Sequence, residues 1–158
     1  MNSHRTAIAR KSLPAPTRWL ISKGLITGHV LDFGCGKCKP LNDAILTKLP
    51  NVKSVTSYDP HWEPDTCMIP YFYDVVLCTY VLCTLPEEAV SNILYRIQLA
   101  LRPTGVAYIT VRNDEPKNGY GISSLGTYQR RVVLDYLLEK RKCALYRTYM
   151  LTSSTEIL

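Results

Sequence analysis

No stretch of this chain approaches the roughly 20 apolar residues that a membrane span needs. The longest apolar run, 75–83, is broken by Thr79 and is strand-sized. Nor does an apolar segment follow the opening Met1-Asn2-Ser3-His4-Arg5, so nothing there reads as a secretory signal. These absences predict no membrane contact and a cytoplasmic protein. Its six cysteines (Cys35, Cys38, Cys67, Cys78, Cys83 and Cys143) are then expected as reduced thiols. Internal repeats and low-complexity segments are also lacking. With 46% apolar and 20% charged residues in a chain of 158, the composition excludes disorder as the main state and suits a single domain over 1–158.

Acidic residues are missing from one end. Residues 1–23 carry five Lys/Arg and no acid, and residues 127–147 carry six basic groups against Asp135 and Glu139. The net charge of +6 therefore sits at the ends, while 24–126 is slightly acidic. Basic ends suit contact with nucleic acid or another polyanion, or serve as a solvated surface.

Residues 1–15 read as an arm. Pro16 fits a helix start, with Trp19, Leu20 and Leu25 as its apolar stripe. Val30 to Phe33 reads as a strand, 39–48 as a helix, Ser54 to Tyr58 as a second strand, and Asp74 to Tyr80 as a buried parallel strand. The helix opened by Pro86 places Val90, Ile93, Leu94, Ile97 and Leu101 on one face and is ended by Arg102-Pro103-Thr104-Gly105. Gly105 to Val111 is the next strand, and 115–126 a Gly/Ser-rich loop. Beyond it we expect a strand over 127–134, a short helix over 135–142 and a strand over 144–151, with an antiparallel edge pair. Alternation of strand and helix predicts a doubly wound, Rossmann-like, mostly parallel sheet, with ligands at the strands' carboxyl ends.

The chemistry concentrates in Val30-Leu31-Asp32-Phe33-Gly34-Cys35-Gly36-Lys37. A strand delivers an acid and then a Gly-x-Gly turn, where glycine lets the backbone approach a ligand. A dinucleotide loop must welcome a pyrophosphate and normally lacks such an acid. Lys39 also occupies the slot of the third glycine in Gly-x-Gly-x-x-Gly, against a nicotinamide reading. S-adenosylmethionine has no phosphate and carries two cations, so it tolerates Asp32. Asp59, ending the second strand, is placed to accept the hydroxyls of a ribose, or is a turn residue before Pro60.

These segments resemble class I S-adenosylmethionine-dependent methyltransferases. The likeness rests on Leu31-Asp32-Phe33-Gly34-Cys35-Gly36, Ser57-Tyr58-Asp59, Tyr73-Asp74-Val75-Val76-Leu77 and Leu101-Arg102-Pro103-Thr104-Gly105-Val106, across about 28–112. It implies cofactor contacts from Asp32, Phe33, Gly34, Cys35 and Gly36, from Tyr58, Asp59 and Pro60, and from Cys78, Thr79 and Tyr80. A narrower resemblance, to methyltransferase-like proteins associated with DNA phosphorothioation systems, adds His4-Arg5-Thr6-Ala7-Ile8-Ala9-Arg10, the Asp59-Pro60-His61-Trp62-Glu63-Pro64-Asp65 segment and Tyr80-Val81-Leu82. It implies that the arm joins the site, with Thr6 or Arg10 closing over the cofactor. The alternative is a strap that only packs on the domain.

The chain also departs from the family. The spacing between Asp59 and Asp74 leaves no room for a full helix and a third strand. The adenine contact is then lost or supplied from 65–68, and Trp62 either covers the adenine or is an ordinary aromatic. Cys35, Cys38, Cys78 and Cys83 either converge as zinc ligands or fill a cofactor loop and a buried strand; the expectation is no metal. Candidate catalytic residues are Tyr80, Asp114 and His61, each with a structural or binding role as its alternative. Asn-Pro-Pro-Tyr, Asp-Pro-Pro-Tyr and a Pro-Cys nucleophile pair are absent, against amino or C5 methylation of DNA bases. The sequence leaves a methyltransferase of small molecules or nucleic-acid components, or a non-catalytic cofactor-binding module or partner subunit.

Overall fold

The computed structural model describes residues 3–114, 120–122 and 127–157. Helix α1 (Ala15–Ser22) leads into strand β1 (Gly28–Phe33), helix α2 (Lys39–Leu46) and strand β2 (Val52–Tyr58). Strand β3 (Tyr73–Thr79), helix α3 (Val90–Ala100) and strand β4 (Leu101–Arg112) follow. Short strands β5 (Tyr120–Ile122) and β6 (Tyr128–Arg130) pair with each other, and β7 (Leu138–Lys142) and β8 (Tyr146–Thr152) complete the main sheet.

The six-stranded order is β2-β1-β3-β4-β8-β7. The β1–β2, β1–β3 and β3–β4 pairs are parallel, and β8 runs antiparallel to both β4 and β7. The chain leaves β1 for one side and returns to its other side with β3. This order reversal opens a crevice at the carboxyl ends of β1 and β3. Val30 and Leu31 of β1 and Val76 and Cys78 of β3 are fully buried, as strands covered on both faces should be. One core cluster centres on Leu94, Ile97 and Ile109, the other on Leu20, Val30 and Leu46.

No helix or strand lies between Tyr58 and Tyr73, all of which is described, so the sheet stops at β2 as the spacing predicted. The Arg102-Pro103-Thr104-Gly105 turn is absorbed differently from expectation. Strand β4 already pairs at Leu101 with Tyr73, and the four residues form an irregularity before Val106 meets Val75. Gly105 lies against the Tyr73 carbonyl oxygen, which a Cβ there would approach to 2.6 Å. Arg102 also pairs with Asp74 at 2.9 Å, and Asp74 accepts the His29 N–H at 2.7 Å. Two segments that carry the family likeness are thus tied together.

The carboxyl-terminal third corrects the sequence reading. The expected helix over 135–142 is instead strand β7, and the expected strand over 127–134 shrinks to β6. The edge pair is antiparallel as expected, but it is built by β7 and β8. Leu138-Glu139-Lys140-Arg141-Lys142 has helix-forming composition, yet Arg141 lies over the rings of Trp19 and Tyr146 at 5.0 and 5.6 Å. Its charged, exposed neighbours shield a sheet edge. Most of the expected 115–126 loop lies outside the described residues; 120–122 is strand β5.

Candidate functional site

A cavity of about 210 Å³ opens at the crevice. Its floor is the turn after β1. Gly34 and Gly36 adopt φ of +78° and +57°, which favour glycine. The N–H groups of Gly34 and Cys35 both donate to the Tyr58 carbonyl, at 2.7 and 3.0 Å, locking the turn to the end of β2. A Cβ on Gly34 would sit 2.3 Å from Val81 Cγ2, so the turns after β1 and β3 nest closely.

Asp32 is 6% exposed and accepts a hydrogen bond from Asn42 Nδ2. Burial pushes its carboxyl up to about 6; the Asn42 bond opposes that rise, and Asp43 and Asp59 add to it. Asn42 Oδ1 is buried and has no partner. Both residues line the cavity, so a carboxyl and an amide stand in its wall in a place where a phosphate-binding turn would aim N–H groups. An unmet acceptor buried beside a carboxyl fits a ligand bearing a cation. Asn42 was not singled out from the sequence. Its signal is a polar residue one helical turn before Leu46, on the buried face of α2.

Asp59 is a hub. Its Oδ2 accepts the Gly36 N–H at 3.1 Å, and its Oδ1 accepts those of His61 and Trp62 at 2.9 and 3.0 Å. A carboxylate offers about four acceptor positions. One remains, on Oδ2, so Asp59 is a turn residue with a single acceptor position left open.

The amino-terminal arm forms the roof. Ser3, His4, Thr6, Ala7, Ile8 and Arg10 line the cavity. His4 stacks on His61, with ring centroids 4.0 Å apart and planes 16° from parallel. Cys38 Sγ donates to the Ile8 carbonyl at 3.1 Å, and the position of a Gly36 Cβ would lie 3.2 Å from Ala7 Cβ.

Most of the residues singled out from sequence meet here. Asp32, Phe33, Gly34, Cys35, Gly36, Tyr58, Asp59, Pro60, His61, Thr79, Tyr80 and Arg10 all line the cavity. Cys78 does not; it is fully buried in the larger core cluster. Trp62 also lies outside the wall, edge-on to His61 and with Lys37 Nζ 4.7 Å from its ring centroid. Residues 65–68 make no part of the wall, and Met68 packs on the core instead. The cysteines do not converge: Cys38 is bonded to the arm and Cys83 Sγ accepts the Arg112 N–H at 3.2 Å. Among the described residues there is no disulfide and no group of side chains that could hold a metal ion. Burial pushes the Cys35 and Cys78 thiols well above their ordinary range, as for inert core cysteines.

Tyr80 follows β3 in the left-handed region, with φ of +63°, held by its N–H donating to the Thr110 carbonyl at 2.8 Å. Such a conformation costs a bulky residue about 1–3 kcal/mol and recurs at functional sites. Burial raises its phenol to about 12, so it stays neutral. Asp114 lies elsewhere, in a second cavity, bidentate to Arg112 at 3.0 Å through both oxygens.

Comparison with known structures places this architecture. The chain is similar to the Burkholderia thailandensis 1,6-didemethyltoxoflavin-N1-methyltransferase, solved with 1,6-didemethyltoxoflavin and S-adenosylhomocysteine bound. The TM-score is 0.62 at 16% identity, over 86% of this chain and 76% of that one. The fold is that of the class I methyltransferases. A Sulfolobus solfataricus protein described as a type 11 methyltransferase aligns with a TM-score of 0.61 at 17% identity, over 92% and 95% of the two chains. A SAM-dependent methyltransferase of Leishmania major gives 0.52 at 16%, over 85% and 69%. No family model and no curated protein matches the chain. Among the described residues, no helix of this methyltransferase-fold chain is long and apolar enough to cross a membrane.

Proposed function

We propose that the protein binds S-adenosylmethionine in the first cavity and acts as a methyltransferase on a small molecule or a nucleic-acid component. The observation that carries this reading is the Asp32–Asn42 pair. Two buried acceptor oxygens at the glycine turn suit an ammonium or sulfonium and repel a phosphate. Asp59 contributes its open Oδ2 position to a ribose hydroxyl, and the nested turns at Gly34 and Val81 set the cavity floor. The bound cofactor would supply a methyl group on a sulfonium, already activated for displacement. The chain's task is then to orient its partner and keep water out, by means of the roof.

The narrower likeness, to proteins associated with DNA phosphorothioation systems, also implies an arm that joins the site, and the arm's residues line the cavity wall. A second reading, a binding module that holds the cofactor without transferring its methyl group, is favoured by the absence of any element between Tyr58 and Tyr73. Calorimetric titration with S-adenosylmethionine and S-adenosylhomocysteine, against NAD, tests the first step. Binding of the first two alone is expected. Binding of NAD alone, or of none, rejects the reading. Appearance of S-adenosylhomocysteine on incubation with candidate acceptors then separates enzyme from module.

A further inference from the structure

Beside the first cavity lies a second, of about 250 Å³, over the ends of β3, β4 and β6. The two share walls at Thr6, Ile8, Arg10, Tyr80 and Thr84. We propose that this second cavity binds the methyl acceptor and that the acceptor is a small aromatic carboxylate. The proposal rests on the cofactor assignment above and specifies the substrate class.

The charge in the wall selects an anion. Arg112 is neutralised by the bidentate Asp114 carboxylate, whose ion pair holds it below the ordinary range. The Tyr80 phenol is neutral. Arg10 has no carboxylate partner among the described residues; its guanidinium stands 5.9 Å from the Tyr80 ring centroid. Among the described residues the cavity therefore carries one uncompensated cation, in a form that grips a carboxylate through two parallel N–H bonds.

The apolar part of the wall selects a ring. Tyr80 adds an aromatic ring to the wall, pinned by its backbone. Ile8 and Leu145 line the same cavity while 57% and 60% exposed, two large apolar side chains left to solvent at its rim. A flat apolar body between them removes that surface from water. Among the described residues the cavity offers no free base, which fits a carboxylate that is itself the nucleophile: one of its oxygens bonds to the methyl carbon as the methyl–sulfonium bond breaks, giving a methyl ester and neutral S-adenosylhomocysteine with no proton to remove. Asp114 is locked to Arg112, Tyr80 holds its proton, and His61 lines only the first cavity.

The test uses benzoate and its neutral isostere benzamide, titrated by ligand-observed NMR into protein saturated with S-adenosylhomocysteine. Saturation is established first by calorimetry, so failure of the cofactor assignment is seen before any acceptor is added. Benzoate is expected to bind more tightly than benzamide by about tenfold, the worth of one charge-assisted pair. Arg10→Ala should bring the two to parity. Leu145→Glu, at an exposed position outside the first cavity, should weaken benzoate by a similar factor and leave S-adenosylhomocysteine affinity intact. Equal binding of benzoate and benzamide to the loaded wild-type protein, or benzoate binding indifferent to both substitutions, overturns the proposal.

Discussion

Asp59 holds the backbone of Gly36 through one carboxylate oxygen and the backbone of His61 and Trp62 through the other. A single side chain thus couples the glycine turn after β1 to the turn after β2, and it also borders the cavity. Asp59→Ala would strip acceptors from three N–H groups at once. We expect a lowered Tm and S-adenosylhomocysteine affinity reduced at least about tenfold, since each lost partner costs roughly 1 kcal/mol or more. Thermal scanning and calorimetry read the two effects. Unchanged affinity would remove Asp59 from the ligand site.

Gly34→Ala meets two obstacles. Its φ of +78° strains any residue with a Cβ, and that atom would lie 2.3 Å from Val81 Cγ2. The expected loss is about 2–4 kcal/mol, from backbone strain plus overpacking. Adding Val81→Ala should recover the steric part and leave the strain. Chemical denaturation of the single and double variants separates the two contributions.

The buried carboxyl of Asp32 predicts a sloped stability profile. Its folded-state value, about 6, lies above the ordinary 3.8. Between those values the native chain keeps a proton that the unfolded chain has lost. Its contribution is therefore full below pH 3.8 and is lost as pH rises through 6. Asp32→Asn should flatten this slope and stabilise the ligand-free protein at neutral pH by on the order of 2 kcal/mol. The same substitution should weaken S-adenosylmethionine binding. In the wild type, a bound cation favours the ionised carboxyl, so binding near pH 6 should release protons. Calorimetry in buffers of different ionisation heat detects that release.

The stacked His4 and His61 rings make docking of the arm sensitive to acid. Desolvation, then His61 and Arg5, hold His4 below the ordinary 6.5; Lys37 adds to this and Asp59 opposes it. A depressed histidine disfavours its proton in the docked state, so the contribution of His4 to docking is full above 6.5 and is lost as pH falls below it. Hydrogen exchange at Ala7, whose N–H donates to the His4 carbonyl at 3.2 Å, should speed up between about pH 7.5 and 5.5 beyond the intrinsic trend. In His4→Phe, which retains a stacked ring without the titration, that excess should vanish.

The fold's first two-thirds was legible because its strands are apolar runs, β1 and β2 ending in glycine and in Asp-Pro. The missing third strand was legible from chain length alone, since the segment after Asp59 cannot hold a helix and a strand. The region after 127 was not. Residues 138–142 carry a helical composition, and it is their antiparallel pairing with β8 that makes them a strand. Asp32 and Asp59 could be read from motif and spacing. Asn42 could not, because its importance comes from an oxygen left unmatched by the tertiary fold. Cys78 misled by position: strand alternation turns its side chain to the core, while Thr79 reaches the cavity.

The roof over the cofactor cavity is a short run of backbone carrying few of the molecule's core contacts, held among the described residues by the His4–His61 stack, the Cys38 thiol bond and the contact of Arg10 with the Tyr80 ring. Its undocking requires no domain rotation and no breakage of the sheet. The doorway should therefore open at the pace of loop motion, microseconds or faster. Traffic of ligands through it would then be quick beside typical enzymatic turnover of about 10 per second, leaving chemistry to set the clock.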